Sequence, residues 1–354
     1  MRRVMAAAAV GGALLLAGCS SAASSGATTS ATAGSSSTGA GNANNAGGSV
    51  TVRLGFLTNI THAPALVGLK EGYFAQALGN AGTLKPTAFA SGTQETTALL
   101  AGQLDAAYVG PNPTINAWQK SGGTAIKVIS GAATGGASLV VKKGVTSAAQ
   151  LKGQSLATPS LGNTQDVALR YWLKQNGLST NTTGGGDVFV KPTTPNSAAV
   201  LEFQSGQIAG GSEPAPYDVQ MVKDGGTVLL SETGVTTLLV VTQSFLAAHP
   251  AVVADLLKAQ VQANDFIAKN AAAAQADVNT ELASYTGKPL KPSIVAASFK
   301  EITFTDDPDQ SSLTADATQA TSLGLLKPVT LTGLFDLGPL NSALTAAGEQ
   351  TVGS

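Results

Sequence analysis

Five short stretches collect hydroxyls, amides and glycines at turns between the expected elements. They are Asn59-Ile60-Thr61-His62-Ala63, Ser91-Gly92-Thr93-Gln94, Gly110-Pro111-Asn112, Gly135-Gly136-Ala137-Ser138 and Leu161-Gly162-Asn163-Thr164-Gln165-Asp166. The chemistry open to such residues is hydrogen-bond donation to an anion without a formal cation. Glycine lets a backbone amide approach a ligand, and the first turn of a helix offers unpaired N–H groups and the positive end of the dipole. Any one stretch reads equally well as a turn with an N-cap. Five of them, each at the same place in a strand–helix unit, point to one shared cleft. The candidate ligand-binding residues are Thr61, His62, Ser91, Thr93 and Asn112 from one set of turns and Ser138, Asn163, Thr164 and Gln165 from another. Glu213, followed by Pro214 ahead of a further helix-like run, joins them.

These residues differ in what they can do. His62 is one of two histidines, and a helix N-terminus disfavours its protonated form, so it reads as a neutral donor or as a plain turn residue. Glu213 can accept a ligand ammonium or hydroxyl, or simply charge the start of a helix. Arg170 follows Asp166 by four residues, which predicts a structural ion pair on one helix face. Trp118 and Trp172 sit in helical patterns and read as core, while Tyr108 and Tyr217 are the other aromatics nearest the turns.

The elements that position the turns follow from periodicity. Val52 to Leu57, a strand ending at Phe89, Asp105 to Val109 and Ile126 to Ile129 read as strands, separated by helices over 64–73, 92–101 and 113–120. A second series begins with a strand at Ser138 to Val141 and continues with strands at 155–158, 188–190, 208–211 and 228–230, with helices over 164–176, 198–205 and 215–223 between them. Thr237 to Val241 returns to the first series, and the remainder is mostly helical. Strands alternating with helices imply α/β architecture with mostly parallel sheets flanked by helices. The expected organisation is two lobes, one of 50–137 plus 237–354 and one of 138–236, hinged by two crossings near Ala137 and Thr237.

Composition narrows the class. Hydrophobic residues make up 43% and charged residues 12%, with a formal charge of −1 and no basic cluster, which excludes a nucleic-acid binder. Arg2 and Arg3 precede an apolar stretch from Met5 to Leu16, too short to span a bilayer, that ends in Leu16-Ala17-Gly18-Cys19. This reads as a leader over 1–18. Cys19 is the only cysteine, so neither an intramolecular disulfide nor a cysteine metal cluster is possible. The segment 19–49 is Ser, Ala, Thr, Gly and Asn and reads as a flexible tether with a reach of roughly 30 Å. No nucleophile elbow, zinc-protease motif or phosphate loop occurs, and no metal or cofactor site is expected.

The motifs Thr61-His62-Ala63-Pro64-Ala65, Ala107-Tyr108-Val109-Gly110-Pro111, Gly135 to Val141, and Leu161 to Arg170 together resemble the nitrate/sulfonate/taurine-type solute-binding proteins. Glu213-Pro214 and Phe304-Thr305-Asp306-Asp307-Pro308 fit the same pattern. Leu16 to Cys19 resembles a bacterial lipobox, which implies lipidation of Cys19 and membrane attachment on the extracytoplasmic face. The resemblance implies a type II periplasmic-binding-protein fold, a monomeric receptor, and a small anionic solute, an aliphatic sulfonate or taurine first. It implies delivery to an ABC permease driven by its ATPase. Nitrate, bicarbonate or a thiamine-precursor pyrimidine, a non-transport sensor, and an enzyme like the pyrimidine synthase of the same fold are the alternatives; that enzyme's cysteine-rich motif is absent here.

Overall fold

A computed structural model describes residues 49–353. Cys19 and the expected leader lie outside the described residues. The chain opens as β1 (Val50–Leu57), a 3-10 turn at Ile60–His62, α1 (Ala63–Lys70), α2 (Tyr73–Leu78), β2 (Gly82–Phe89), α3 (Gly92–Leu100), β3 (Ala106–Val109), α4 (Pro111–Lys120) and β4 (Ile126–Gly135). It then crosses into β5 (Ala137–Val141), β6 (Ser155–Thr158), α5 (Thr164–Gln175), β7 (Phe189–Pro192), α6 (Asn196–Gln204), β8 (Gly210–Pro214), α7 (Tyr217–Lys223) and β9 (Thr227–Ser231). It crosses back through β10 (Val235–Thr242) and finishes with α8 (Gln243–Ala248), α9 (Pro250–Lys269), α10 (Ala271–Thr286), α11 (Pro292–Lys300), β11 (Ile302–Phe304), α12 (Gln310–Ser322) and α13 (Gly338–Ala347).

The strands form two sheets, in the orders β11-β4-β10-β3-β1-β2 and β7-β6-β8-β5-β9. The two lobes share one plan. In each, the strand that arrives from the other lobe, β10 or β5, is inserted antiparallel to both of its neighbours. β10 is buried along its whole length, as a central strand covered on both faces must be. The first sheet carries α1, α2, α9, α10 and α13 on one face and α3, α4 and α12 on the other. β1 shows why both faces stay closed. Val52, Leu54 and Phe56 alternate into the first core, while Gly55 on the opposite face leaves room for Glu95 and Leu104.

Several boundaries differ from the expectation, each for a local reason. α4 begins at Pro111 instead of 113, because Gly110 supplies the N-cap and proline suits the first helical position. The strand expected at 208–211 runs over Gly210–Pro214, where it pairs with β5 and sets Glu213 opposite Ser138. Glu213 therefore lies within a strand instead of in a loop. At the first crossing Gly135 and Gly136 both have positive φ, 69° and 72°, which glycine adopts without steric cost. A side chain at Gly135 would meet the Glu301 carbonyl oxygen.

Candidate functional site

A cavity of about 260 Å³ lies between the lobes. Its walls come from the carboxyl ends of β1, β2, β3, β6, β7 and β8 and the turns that follow them. This is where parallel sheets place ligands, because the next helix starts there. Thr61, His62, Ser91, Asn163, Thr164 and Gln165 line it, as do Asn59, Phe89, Asn196, Tyr217, Thr236 and Tyr285. No lysine, arginine, aspartate or glutamate is among the lining residues.

Three helix N-termini supply the polar groups. At α5, Asn163 Oδ1 caps the helix by accepting from Asp166 N at 2.9 Å. That leaves the first-turn N–H groups of Thr164 and Gln165 without an intrahelical partner, and Thr164 also carries a hydroxyl. At α3, Ser91 Oγ accepts from Gln94 N at 3.4 Å, and Gly92 begins the helix with no side chain in the way of its amide. At α6, Asn196 follows Pro195 directly and faces the cavity. α4 contributes little, because Pro111 and Pro113 lack N–H groups in its first turn.

His62 is 1% exposed, and burial lowers its pKa to about 3. Its Nδ1 accepts from Leu57 N at 3.2 Å, so the neutral ring carries its proton on Nε2 and presents a donor. Thr61 is committed within its own wall, donating to Asn59 Oδ1 at 2.8 Å and accepting from Thr237 Oγ1 at 3.2 Å. Gln165 is held at both ends, accepting from Asn163 Nδ2 at 2.9 Å and donating to Glu232 Oε2 at 3.3 Å. The lobes touch across the cavity. Tyr217 Oη donates to the Thr58 carbonyl at 3.0 Å and Ile60 N to the Ala215 carbonyl at 2.8 Å. Burial raises the Tyr217 pKa to about 12, so its hydroxyl stays protonated.

Four of the ten expected ligand-binding residues stand outside the cavity wall. Thr93 sits at the rim, 3.2 Å from Ser160 of the other lobe. Asn112 turns away, its Nδ2 facing the Asp316 carbonyl of α12 at 3.5 Å. Ser138 is buried in β5, 3.4 Å from Ser231 Oγ. Glu213 is 0% exposed and its carboxyl oxygens have no hydrogen-bond partner. The expected Asp166–Arg170 pair is present, buried, at 2.9 Å. Trp118 is buried in the core of the first lobe, and Trp172 packs against that of the second.

A protein-family model described as the NMT1-like family matches residues 45–279, more than half of the 354-residue chain. The chain belongs to the NMT1-like family. Among solved structures, this NMT1-like chain is similar to the nitrate-binding protein of Synechocystis PCC 6803, with 18% identity over 84% of this chain and 89% of that one and a TM-score of 0.70. The alkanesulfonate-binding protein of Xanthomonas axonopodis pv. citri, solved with MOPS bound, gives 17% identity, 82% and 99% coverage and a TM-score of 0.68. A cysteine-to-serine mutant of DSZB in complex with biphenyl-2-sulfinic acid gives 15% identity, 84% and 99% coverage and a TM-score of 0.59. At these identities the structural likeness establishes the fold alone, the two-lobed type II periplasmic-binding-protein fold. No curated protein sequence matches the chain.

Proposed function

We propose that this protein is the extracytoplasmic receptor of an ABC importer, capturing a small organic anion between its lobes for delivery to a permease and its ATPase. One observation carries the reading. The N-termini of α3, α5 and α6 and the neutral His62 converge on a cavity whose lining holds no charged side chain. Such a site stabilises an anion through N–H and O–H donors and rejects a cation. The names of two structural neighbours, an alkanesulfonate-binding and a nitrate-binding protein, support the same class.

An aliphatic sulfonate fits best. Its tetrahedral oxyanion accepts several hydrogen bonds, and Leu57, Ala88, Phe89 and Tyr285 supply apolar surface in the wall for a short carbon chain. Taurine fits less well, because no carboxylate lines the cavity to receive its ammonium. A thiamine-precursor pyrimidine is the second reading, favoured by the rings of Phe89, Tyr217 and Tyr285. The reading is one of a receptor and not of an enzyme: the lining holds no cysteine, lysine or carboxylate to work with its single histidine. Capture closes lobes of 50–137 plus 237–354 and 138–236 about crossings near Ala137 and Thr237. Lipidation of Cys19 tethers the monomer to the membrane through the segment 19–49; among the described residues no helix is long and apolar enough to cross it. Calorimetric titration with ethanesulfonate, taurine, nitrate and a hydroxymethylpyrimidine tests the class, with one-to-one binding of the sulfonate expected. A tight pyrimidine complex with every anion inert would overturn it.

A further inference from the structure

Acidic side chains gather along the seam between the lobes without a counter-charge. Asp218 of α7 is 1% exposed; Glu213 of β8 lies within reach of its charge. Both Glu213 carboxyl oxygens and Asp218 Oδ2 are sealed from water with no hydrogen-bond partner. Asp218 Oδ1 accepts from Val219 N at 2.7 Å. Glu301, just past α11 on the other lobe, acts on Asp218 where α7 packs against α11. Glu232 sits on the return crossing between β9 and β10. Its Oε2 accepts from Gln165 of the cavity wall at 3.3 Å and its Oε1 from Ser212 at 3.5 Å. The charged groups facing Glu232 are again acids, Asp218 of α7 and Asp316 of α12, and Asp309 adds to Asp316. Asp316 Oδ2 is also unpartnered. None of the ion pairs among the described residues includes any member of this set.

Two of these placements cross from one lobe to the other: Asp218 on α7, which packs against α11 ahead of Glu301, and Glu232 on the return crossing, which meets α12 where Val235 N donates to Ser312 Oγ at 3.1 Å, one turn before Asp316. We propose that lobe closure takes up protons at this seam, so that the closed arrangement holds these side chains as neutral acids and a rise in pH opens the cleft. Glu213 and Asp218 are buried, Glu232 and Asp316 half-buried and Glu301 exposed. Ionised carboxylates facing one another where water is partly excluded repel and lose hydration, whereas parting the lobes returns water to them. The directions of their pKa values agree. Burial raises Asp218 well above the ordinary carboxylate range, Glu232 to about 7 and Asp316 to about 8. The sign follows from linkage. Acids whose pKa is raised in the closed form favour it fully below their ordinary range, near 4, and that advantage is lost as pH rises through about 7 to 8. One group displaced by one to two units changes the ratio of closed to open forms about ten- to a hundredfold. The hydrogen bonds that Glu232 accepts from Gln165 and Ser212 favour its ionised form, and burial outweighs them.

Small-angle X-ray scattering of the ligand-free full chain between pH 5.5 and 8.5 tests the coupling whatever the ligand is. The radius of gyration is expected to increase with pH, with a midpoint near 7 and unchanged far-UV circular dichroism. Glu232→Gln and Asp218→Asn should each stay compact to higher pH. A single radius at every pH in the wild type overturns the proposal, as does a wild-type transition retained in both variants. Expansion accompanied by loss of far-UV signal is unfolding and overturns it too. Should one variant fail to fold, the wild-type profile and the other variant decide.

Discussion

Gly110→Ala isolates closure from the stability of either lobe. Gly110 has φ −69° and ψ 159°, extended backbone that alanine adopts freely, so the substitution adds no local strain. Its new methyl group would stand 2.7 Å from Thr164 Oγ1 of the opposite lobe and 3.5 Å from the Thr236 carbonyl oxygen. Relieving the first contact requires either that the lobes part or that the Thr164 hydroxyl leave its rotamer, and overpacking of this kind costs about 1–3 kcal/mol. Because the clash exists only when the cleft is closed, the cost falls on binding, as roughly a five- to 150-fold loss of affinity. Thr164→Ala removes a donor to a charged ligand and should cost about 1.5–3 kcal/mol by itself. It also removes the atom that the new methyl group would strike, so the double variant should bind like Thr164→Ala alone. Calorimetric titration of wild type and the three variants with ethanesulfonate measures the cycle. Unchanged affinity in Gly110→Ala, or two penalties that simply add, would show that Gly110 and Thr164 do not meet in the closed cleft.

Other outcomes follow from the same geometry. Arg170→Ala strands Asp166, which is 0% exposed, and should destabilise the fold by about 3–5 kcal/mol in urea unfolding; a loss below about 1 kcal/mol would show that the pair is not needed. Burial raises the Glu213 pKa well above the ordinary value of 4.5, so its contribution is full below that value and is lost as pH rises. Wild-type unfolding free energy should therefore fall from pH 5 to 8 by up to about 1.4 kcal/mol per pH unit for this one proton, and Glu213→Gln should flatten the profile. Parallel profiles would mean that Glu213 is ionised in the fold. Cys19→Ala should release the protein from the membrane fraction of cells, and firm retention would exclude the lipid anchor.

Much of the fold can be read from the chain because buried strands are apolar runs. Val52 to Leu57, Ala106 to Val109 and Leu238 to Val241 have few competing interpretations. Strand direction is different: periodicity says nothing of it, and the antiparallel insertion of β5 and β10 is visible only in the assembled sheets. β8 lies further along the chain than its pattern suggests because its sequence, Gly210-Gly211-Ser212-Glu213-Pro214, lacks the branched and aromatic residues that mark a strand. That displacement puts Glu213 behind the cleft instead of beside it. The turns at Asn59 to His62, Ser91 and Asn163 to Gln165 are legible because glycine and capping residues mark where helices start. Asn196 occupies the same place after β7 yet carries no such mark, because Pro195 caps α6 where a hydroxyl or amide is the usual signal. Tyr285 arrives from α10, far along the chain, and is set by packing of its ring edge-on against Phe56 at 5.1 Å. No local pattern announces such a contact.

Titration calorimetry of the full chain against small alkanesulfonates, taurine and a hydroxymethylpyrimidine, repeated with Thr164→Ala, tests directly whether the uncharged inter-lobe cavity binds an organic anion. One-to-one binding of ethanesulfonate, tighter than that of taurine and weakened at least about tenfold by Thr164→Ala, is the predicted result. Silence toward every sulfonate, or sulfonate binding indifferent to the loss of the Thr164 hydroxyl, would contradict it.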